Sequence, residues 1–224
     1  MNTTLLSKMQ IRNSLILIIS IAFFYSCSPK PERRLPIFGE RDIQIKEVNG
    51  KKEVDTVYHT IADFSFVDQD SATITQDTFL DKIYVTDFFF TSCRTICPIM
   101  KTQMLRVYDT LKNNSDVLIL SHTIDPAYDT VGLLYDFANR LGVSSDKWHF
   151  VTGVKDSIYT LAQRSYFATA MEDKSEPDGF IHSGAFLLID KDRRIRGKYD
   201  GTREEDVNRL IGDIAILQKE YEKK

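Results

Sequence analysis

From about residue 41 onward, hydrophobic and polar positions alternate in a way that marks a series of short strands. The stretches DIQIKEV and EVDTVYHT alternate as half-exposed strands do. They flank Asn49-Gly50, a residue pair typical of a tight hairpin turn. A second pair of short strands is predicted within ADFSFVDQD and SATITQDTF. The chain therefore opens its folded part with β-structure.

A nearly continuous β-branched and aromatic run, IYVTDFFFT, follows and predicts a strand buried on both faces. Apolar residues then recur at helical spacing over 97–112, with Pro98 in the first turn, where its missing N–H is tolerated. The later predicted elements are strands at 117–121 and 148–152, a helix from Leu133 to Leu141 with Gly142 near its end, a helix over 155–166, a hairpin formed by AFLLID and RIRGKYDG, and a last helix opened by a capping box at Thr202–Glu205 and running to about Tyr221.

This order of elements predicts an α/β fold with a central mixed sheet flanked by helices, plus an extra N-terminal β-hairpin. A buried strand that leads a cysteine motif directly into a helix is the thioredoxin-like arrangement. We assign the domain to residues 41–224.

Composition narrows the class of protein. The chain has 224 residues, of which 42% are hydrophobic and 27% charged, as expected of an ordinary globular protein. Its formal net charge is -3 and no basic face is evident, so we expect no nucleic-acid partner.

The N-terminus predicts export and membrane attachment. Lys8 and Arg12 precede the apolar run SLILIISIAFFYS, which ends at Cys27 and resembles a bacterial lipoprotein signal with FYSC at the lipobox. We expect a signal segment at 1–26, lipidation of Cys27, and a proline-rich tether at 27–40. An uncleaved N-terminal anchor is the alternative. Both interpretations place the domain in the cell envelope, on the periplasmic or extracytoplasmic side of a membrane.

The remaining two of the three cysteines, Cys93 and Cys97, lie in the stretch TSCRTICPIM. At positions i and i+4 of a helical turn, their side chains would share one face, about 5–6 Å apart at Cβ. The helix start and the neighbouring Arg94 would favour thiolate over thiol. Such a pair suits reversible disulfide chemistry or a soft cation such as Cu(I) or zinc. Two cysteines do not fill a zinc site, so a further ligand would come from elsewhere.

The chain has four histidines, and they differ in how strongly the sequence suggests a functional role. His59 and His149 are interpreted as surface or packed imidazoles. His122 follows a buried strand at the edge where α/β sheets build sites. His182 stands between the polar loop MEDKSEPDG and a strong strand, where it can face the start of the cysteine-bearing helix.

Four stretches within residues 60–222, namely FFFTSCRTICP, TIDPAYDT, IHSGAFLLID and GKYDGT, resemble the Sco/SenC family. Its members are membrane-anchored, thioredoxin-like copper-binding proteins that help assemble the binuclear copper centre of cytochrome c oxidase. The resemblance implies that Cys93 and Cys97 bind copper through sulfur and that His182 supplies an imidazole. It also implies that Asp125 either shapes the site or caps a turn.

The chain departs from the family pattern at two positions. Arg94 stands where many relatives carry proline, and Ile181 stands where many carry an acid directly before the histidine. Neither departure removes a ligand. The second leaves the hydrogen-bond partner of His182 unassigned.

Three functions remain open at this point. The first is a copper metallochaperone that holds Cu(I), and through its third ligand Cu(II), and passes copper to a respiratory oxidase subunit or to another copper chaperone. The second is a thiol–disulfide oxidoreductase using Cys93 and Cys97, which is the one enzymatic activity considered. The third is a passive disulfide, whose small loop would add little stability.

Overall fold

A computed structural model of the chain describes residues 33–173, 175 and 179–223, and those from Arg34 onward form one compact unit. The strands are β1 (Arg41–Val48), β2 (Lys51–Tyr58), β3 (Ser65–Asp68), β4 (Thr73–Thr75), β5 (Ile83–Phe89), β6 (Val117–Thr123), β7 (Trp148–Thr152), β8 (Ala170–Glu172), β9 (Phe180–His182), β10 (Ala185–Ile189) and β11 (Ile195–Asp200). The helices are α1 (Cys97–Leu111), α2 (Val131–Leu141), α3 (Lys155–Thr160) and α4 (Glu204–Glu222), with a 3₁₀ turn at Gln76–Phe79 and a π-helical turn at Leu161–Ser165.

Seven of the described strands form the main sheet, in the order β11-β10-β5-β6-β7-β3-β4. Its centre, β5-β6-β7, is parallel, whereas β10 and β3 run antiparallel to their central neighbours. Parallel neighbours require crossover connections, and α1 and α2 provide them. The carboxyl ends of β5 and β6 consequently lie at the same edge of the sheet, where α/β folds place their sites.

The hydrophobic core forms around β5 and β6, because these two central strands are buried along their whole length. Every residue of β5 and β6 is buried, as their continuous apolar pattern predicts. On α1, Met100, Met104 and Val107 are fully buried at helical spacing. Gly142 ends α2 in the left-handed conformation, with φ of 70°, which glycine adopts without strain.

The α/β fold class, the mixed sheet flanked by helices and the N-terminal hairpin are confirmed. One local expectation is wrong. Thr202 does not cap α4, because its hydroxyl and its N–H both bond to the Asp200 carboxylate, and the helix begins at Glu204 behind Arg203. The helix expected over 155–166 is present, and it changes to a π-helical turn after Thr160. The short β8–β9 pair was not predicted.

The segment before β1 packs onto the domain from Leu35 onward. Leu35 is buried, and its N–H donates to the Glu220 carboxylate at 2.7 Å. Arg196 donates to the carbonyl oxygens of Leu35 and Pro36 and forms an ion pair with Glu220 at 2.6 Å. We call these contacts the Arg196 clamp. It joins the entering chain to β11 and to the end of α4.

The expected signal segment, Cys27 and the first part of the tether lie outside the described residues. Within the part of the chain that is described, none of the helices combines the length and the apolar character needed to cross a bilayer.

Candidate metal centre

The two cysteines lie where β5 passes into α1. Cys97 is the first residue of α1, whereas Cys93 lies in the loop that precedes it. The expectation that both occupy one helical turn is therefore wrong, because the chain turns before the helix starts: the Cys93 N–H donates to the Phe90 carbonyl at 3.3 Å. The loop nevertheless brings the two thiols into hydrogen-bond contact. A shared ligand site thus arises from the loop rather than from helical spacing.

Cys93 and Cys97 form no disulfide in the structure, and both are buried. The hydrogen bond with Cys93, together with burial, raises the pKa of Cys97 well above its ordinary value, and the Phe90 N–H and the charge of Lys101 only partly oppose this. The expectation of a thiolate is wrong for Cys97 in the metal-free protein, since these effects outweigh the helix start. A metal ion must therefore displace a proton from this sulfur.

A buried charged network lies below the cysteine pair. Lys101, one helical turn after Cys97, donates to the Asp87 carboxylate at 2.8 Å, and both side chains are almost wholly excluded from solvent. Ser121 donates to the same carboxylate and accepts from the Trp148 indole at 2.9 Å. The Lys101 ammonium also lies 4.0 Å from the centre of the Phe89 ring. The positive charge of Lys101 in this network acts on Cys97 and lowers its pKa in part.

The cysteine loop is held at its start by Asp129. This buried carboxylate accepts from the Thr91 N–H at 3.1 Å, from the Thr91 hydroxyl, and from the Thr123 hydroxyl at 2.5 Å. Asp125, four residues earlier in the same turn, is partly exposed, and its backbone carbonyl accepts from the Tyr128 N–H at 3.1 Å. Burial and the charge of Asp129 raise the pKa of Asp125. Asp129, not Asp125, therefore connects the turn after β6 to the loop that carries the cysteines.

Replacing Asp129 with alanine is expected to lower the free energy of unfolding by about 2–4 kcal/mol, because three donors lose a charged acceptor in a buried place. It should also weaken Cu(I) binding, since the loop start is released. Asp125→Ala is the matched control and should cost less than about 1 kcal/mol. Urea unfolding and Cu(I) competition titration measure both effects. Equal losses in the two variants would contradict the role given to Asp129.

His182 is the last residue of β9, and the structure describes its backbone but not its side chain. Its neighbours place this strand beside the cysteine loop. Phe180 packs its ring against Phe90, with centroids 4.9 Å apart, and the backbone of Gly184 lies next to the Ile96 side chain. The chain on both sides of His182 therefore contacts the residues that flank the cysteines.

The other three histidines make contacts that give them a structural role in the domain. His59 bonds to the Ser165 carbonyl at 2.7 Å, and His149 bonds to the Asp68 carboxylate at 2.9 Å. His122 is fully buried among aromatic rings, stacked on Phe88 at 5.0 Å, and neither of its ring nitrogens has a hydrogen-bond partner. Burial lowers the pKa of His122 to about 3, so it is neutral at physiological pH.

Sequence reasoning missed Lys101, Asp87 and Asp129. The signal was present: Lys101 lies on the apolar face of α1, and Asp87 interrupts an otherwise apolar strand. A charged residue at a position that periodicity assigns to the core needs a partner there. Arg94, by contrast, is exposed on the loop.

A cleft of about 750 Å³ lies elsewhere on the domain, between residues 59–66 and the turns around α3. Neither cysteine lines it. Among the side chains that the structure describes, no three His, Cys, Asp or Glu residues group together as a metal site, and His182 is not one of those side chains. A metal site here would therefore consist of the two cysteine sulfurs and a ligand supplied by β9, the strand beside them.

Comparison with known proteins identifies relatives of this arrangement. A family model described as SCO1/SenC matches residues 52–217. The SCO1 protein homolog of Bacillus subtilis is 31% identical over 167 residues, which cover 74% of this chain and 86% of that protein.

Two solved structures illustrate the shared fold. A SCO1/SenC family lipoprotein from Bacillus anthracis superimposes with a TM-score of 0.65 at 27% identity, over 71% of this chain and 95% of its own. ScoI of Arabidopsis thaliana, solved with copper bound, gives a TM-score of 0.60 at 24% identity, over 71% and 98%. The second likeness is one of fold.

Proposed function

Since the chain belongs to the SCO1/SenC family, we propose that it is a membrane-anchored copper metallochaperone that delivers copper to a respiratory oxidase. Proteins of this family act in cytochrome c oxidase assembly, and several have been solved with copper bound. The observation that carries the proposal is the hydrogen-bonded pair of Cys93 and Cys97 beside the strand that ends at His182.

The donor set suits this cargo. Thiolates select Cu(I), and an imidazole ligand extends binding to Cu(II). In the proposal Cys93 and Cys97 bind through sulfur, and His182 adds a nitrogen. Binding of copper through both sulfurs would release the two thiol protons to solvent, and the charge of Lys101 would offset part of the negative charge that the two thiolates then carry.

Attachment to the membrane is part of the proposal and rests on the apolar run that ends at Cys27. The B. anthracis relative is described as a lipoprotein, which supports it. The domain would then lie on the extracytoplasmic side of its membrane, close to membrane-embedded oxidase subunits.

Titration of the reduced protein with Cu(I) in the presence of a competing chelator tests the proposal. We expect tight one-to-one binding, almost complete loss in Cys97→Ser, and at least about a 100-fold weakening in His182→Ala, because loss of a ligand exceeds the usual cost of losing a ligand's hydrogen-bond partner. His59→Ala, remote from the cysteines, is the matched control and should bind normally. Indifference of the affinity to His182 would refute the proposed site.

A thiol–disulfide oxidoreductase remains the alternative, and the adjacency of the two thiols favours it. Burial of both sulfurs and the raised pKa of Cys97 disfavour it, because exchange requires an accessible thiolate. Disulfide reductase activity that survives in His182→Ala would support this alternative over copper transfer.

A further inference from the structure

The β1–β2 hairpin stands apart from the main sheet. Among the described strands, β1 and β2 pair only with each other, antiparallel from Arg41–Tyr58 to Val48–Lys51. The turn is formed by Asn49 and Gly50, with φ of 52° and 74°, as a two-residue hairpin turn requires. Most of the hairpin is exposed to solvent.

The two faces of this hairpin differ in chemistry. Pairing partners share a face, so the register places Ile43, Ile45 and Val54 together on one side, where they are 71%, 67% and 70% exposed. We call this side the apolar face. The opposite side carries polar groups, including the ion pair between Lys46 and Asp55 at 2.6 Å.

An exposed apolar stripe on a hairpin indicates that another surface covers this stripe in the cell. A two-stranded hairpin is marginally stable in water by itself, and contiguous exposed apolar side chains mark contact sites. The family match begins at residue 52, so β1 lies outside it. The family match therefore does not account for the part of the apolar face that β1 contributes, which includes Ile43 and Ile45.

The route of the chain brings this face close to the proposed membrane anchor. The Arg196 clamp fixes Leu35, and only seven residues separate Leu35 from Cys27, a reach of at most about 28 Å. An eight-residue strand such as β1 is itself about 26 Å long. A bilayer holding Cys27 is thus within reach of the hairpin.

The charged residues on the apolar face carry a small positive excess, which suits an anionic surface. By the same register Arg41 lies at one end of this face beside Tyr58, and Lys52 lies near the other end opposite Glu47. Cations that flank an apolar stripe, together with a tyrosine, are typical of segments that lie in the headgroup region of a membrane.

We propose that the apolar face of the β1–β2 hairpin lies on the surface of a bilayer containing anionic lipid, with Ile43, Ile45 and Val54 against the acyl-chain boundary and Arg41 and Lys52 against the headgroups. The hairpin is then a second membrane contact, and it orients the domain beyond what a single lipid chain achieves. The inference rests on the membrane attachment in the proposed function.

Vesicle co-sedimentation of a chain comprising residues 34–224 tests the contact without the anchor. This part contains the whole described core, so it is expected to fold without the leader. Vesicles of phosphatidylglycerol and phosphatidylcholine should bind it, and vesicles of phosphatidylcholine alone should bind it less. Val54→Ser should weaken binding about threefold to tenfold. Val57→Ser, the same change in the same strand but on the opposite face, should leave it unaltered.

Three results would overturn the inference: no binding of the parent chain to anionic vesicles, equal effects of the two serine variants, or a concentration-dependent dimer that Val54→Ser abolishes. The last would show that a second copy covers the face. Copper titration of the same variants separates this inference from the proposed function, because none of the changes touches the cysteines. Mass spectrometry of Cys27 in the full chain tests the lipid anchor independently.

Discussion

Lys101→Met is expected to lower the free energy of unfolding by about 3–5 kcal/mol, because the change leaves the Asp87 carboxylate buried without its cationic partner. The methionine fills a similar volume among Phe89, Trp148 and Phe150, so loss of packing contributes little. Chemical denaturation at neutral pH measures the loss.

The double variant Lys101→Met/Asp87→Leu supplies the control. Replacing both members of a buried ion pair with apolar residues is often nearly neutral, so most of the lost stability should return. If the double variant is as unstable as the single one, the unpaired carboxylate is not the cause of the loss.

The single variant Lys101→Met also tests the electrostatic influence on the cysteines, because it removes the cation and retains Asp87. The charge of Lys101 lowers the pKa of Cys97, so its removal should raise that pKa further. Cu(I) must then displace a more tightly held proton, and the affinity should fall more steeply as the pH decreases. A structural role alone would leave the pH dependence of the affinity unchanged.

His122→Phe is expected to make the protein more resistant to acid. The folded-state pKa of His122, about 3, lies below the ordinary value of 6.5, so the unfolded chain takes up the proton first as the pH falls. The wild type therefore loses stability from about pH 6.5 down to about pH 3, and the complete loss from this group is of the order of 5 kcal/mol. Phenylalanine does not titrate and retains the stacking on Phe88.

At neutral pH the same variant should gain about 1–2 kcal/mol, because two unpaired buried nitrogens are removed. His149→Phe is the contrasting control, since it breaks a bond to Asp68 and should destabilise. Thermal or urea unfolding at several pH values between 3 and 7 measures both. An unchanged pH dependence in His122→Phe would show that His122 does not titrate on unfolding.

Most of the fold follows from the sequence because its signals are local. The long apolar runs of β5 and β6 indicate central strands, and the backbone conformations of Asn49-Gly50 and Gly142 mark the β1–β2 turn and the end of α2. The β8–β9 pair was missed because its strands are three residues long, too short for periodicity. The capping box at Thr202 was wrong because Asp200 competes for the same hydroxyl.

The candidate site was less accessible to such reasoning. The cysteine motif and the importance of His182 follow from spacing and from resemblance. The protonation of Cys97 does not, because it depends on how closely Cys93 approaches and on how much solvent the fold excludes. The roles of Asp129 and Lys101 likewise depend on partners that are 38 and 14 residues away in the chain.

The Arg196 clamp has a mechanical consequence for a protein held at its N-terminus. Tension on the tether would reach the domain at Leu35. There Arg196 and Glu220 would transfer the load to β11, the edge strand of the sheet, and to the end of α4. The cysteine loop follows β5, two strands further in, and carries none of that load directly. In a chain anchored as proposed, we therefore expect movement of the domain about its point of attachment to leave the cysteine loop undisturbed.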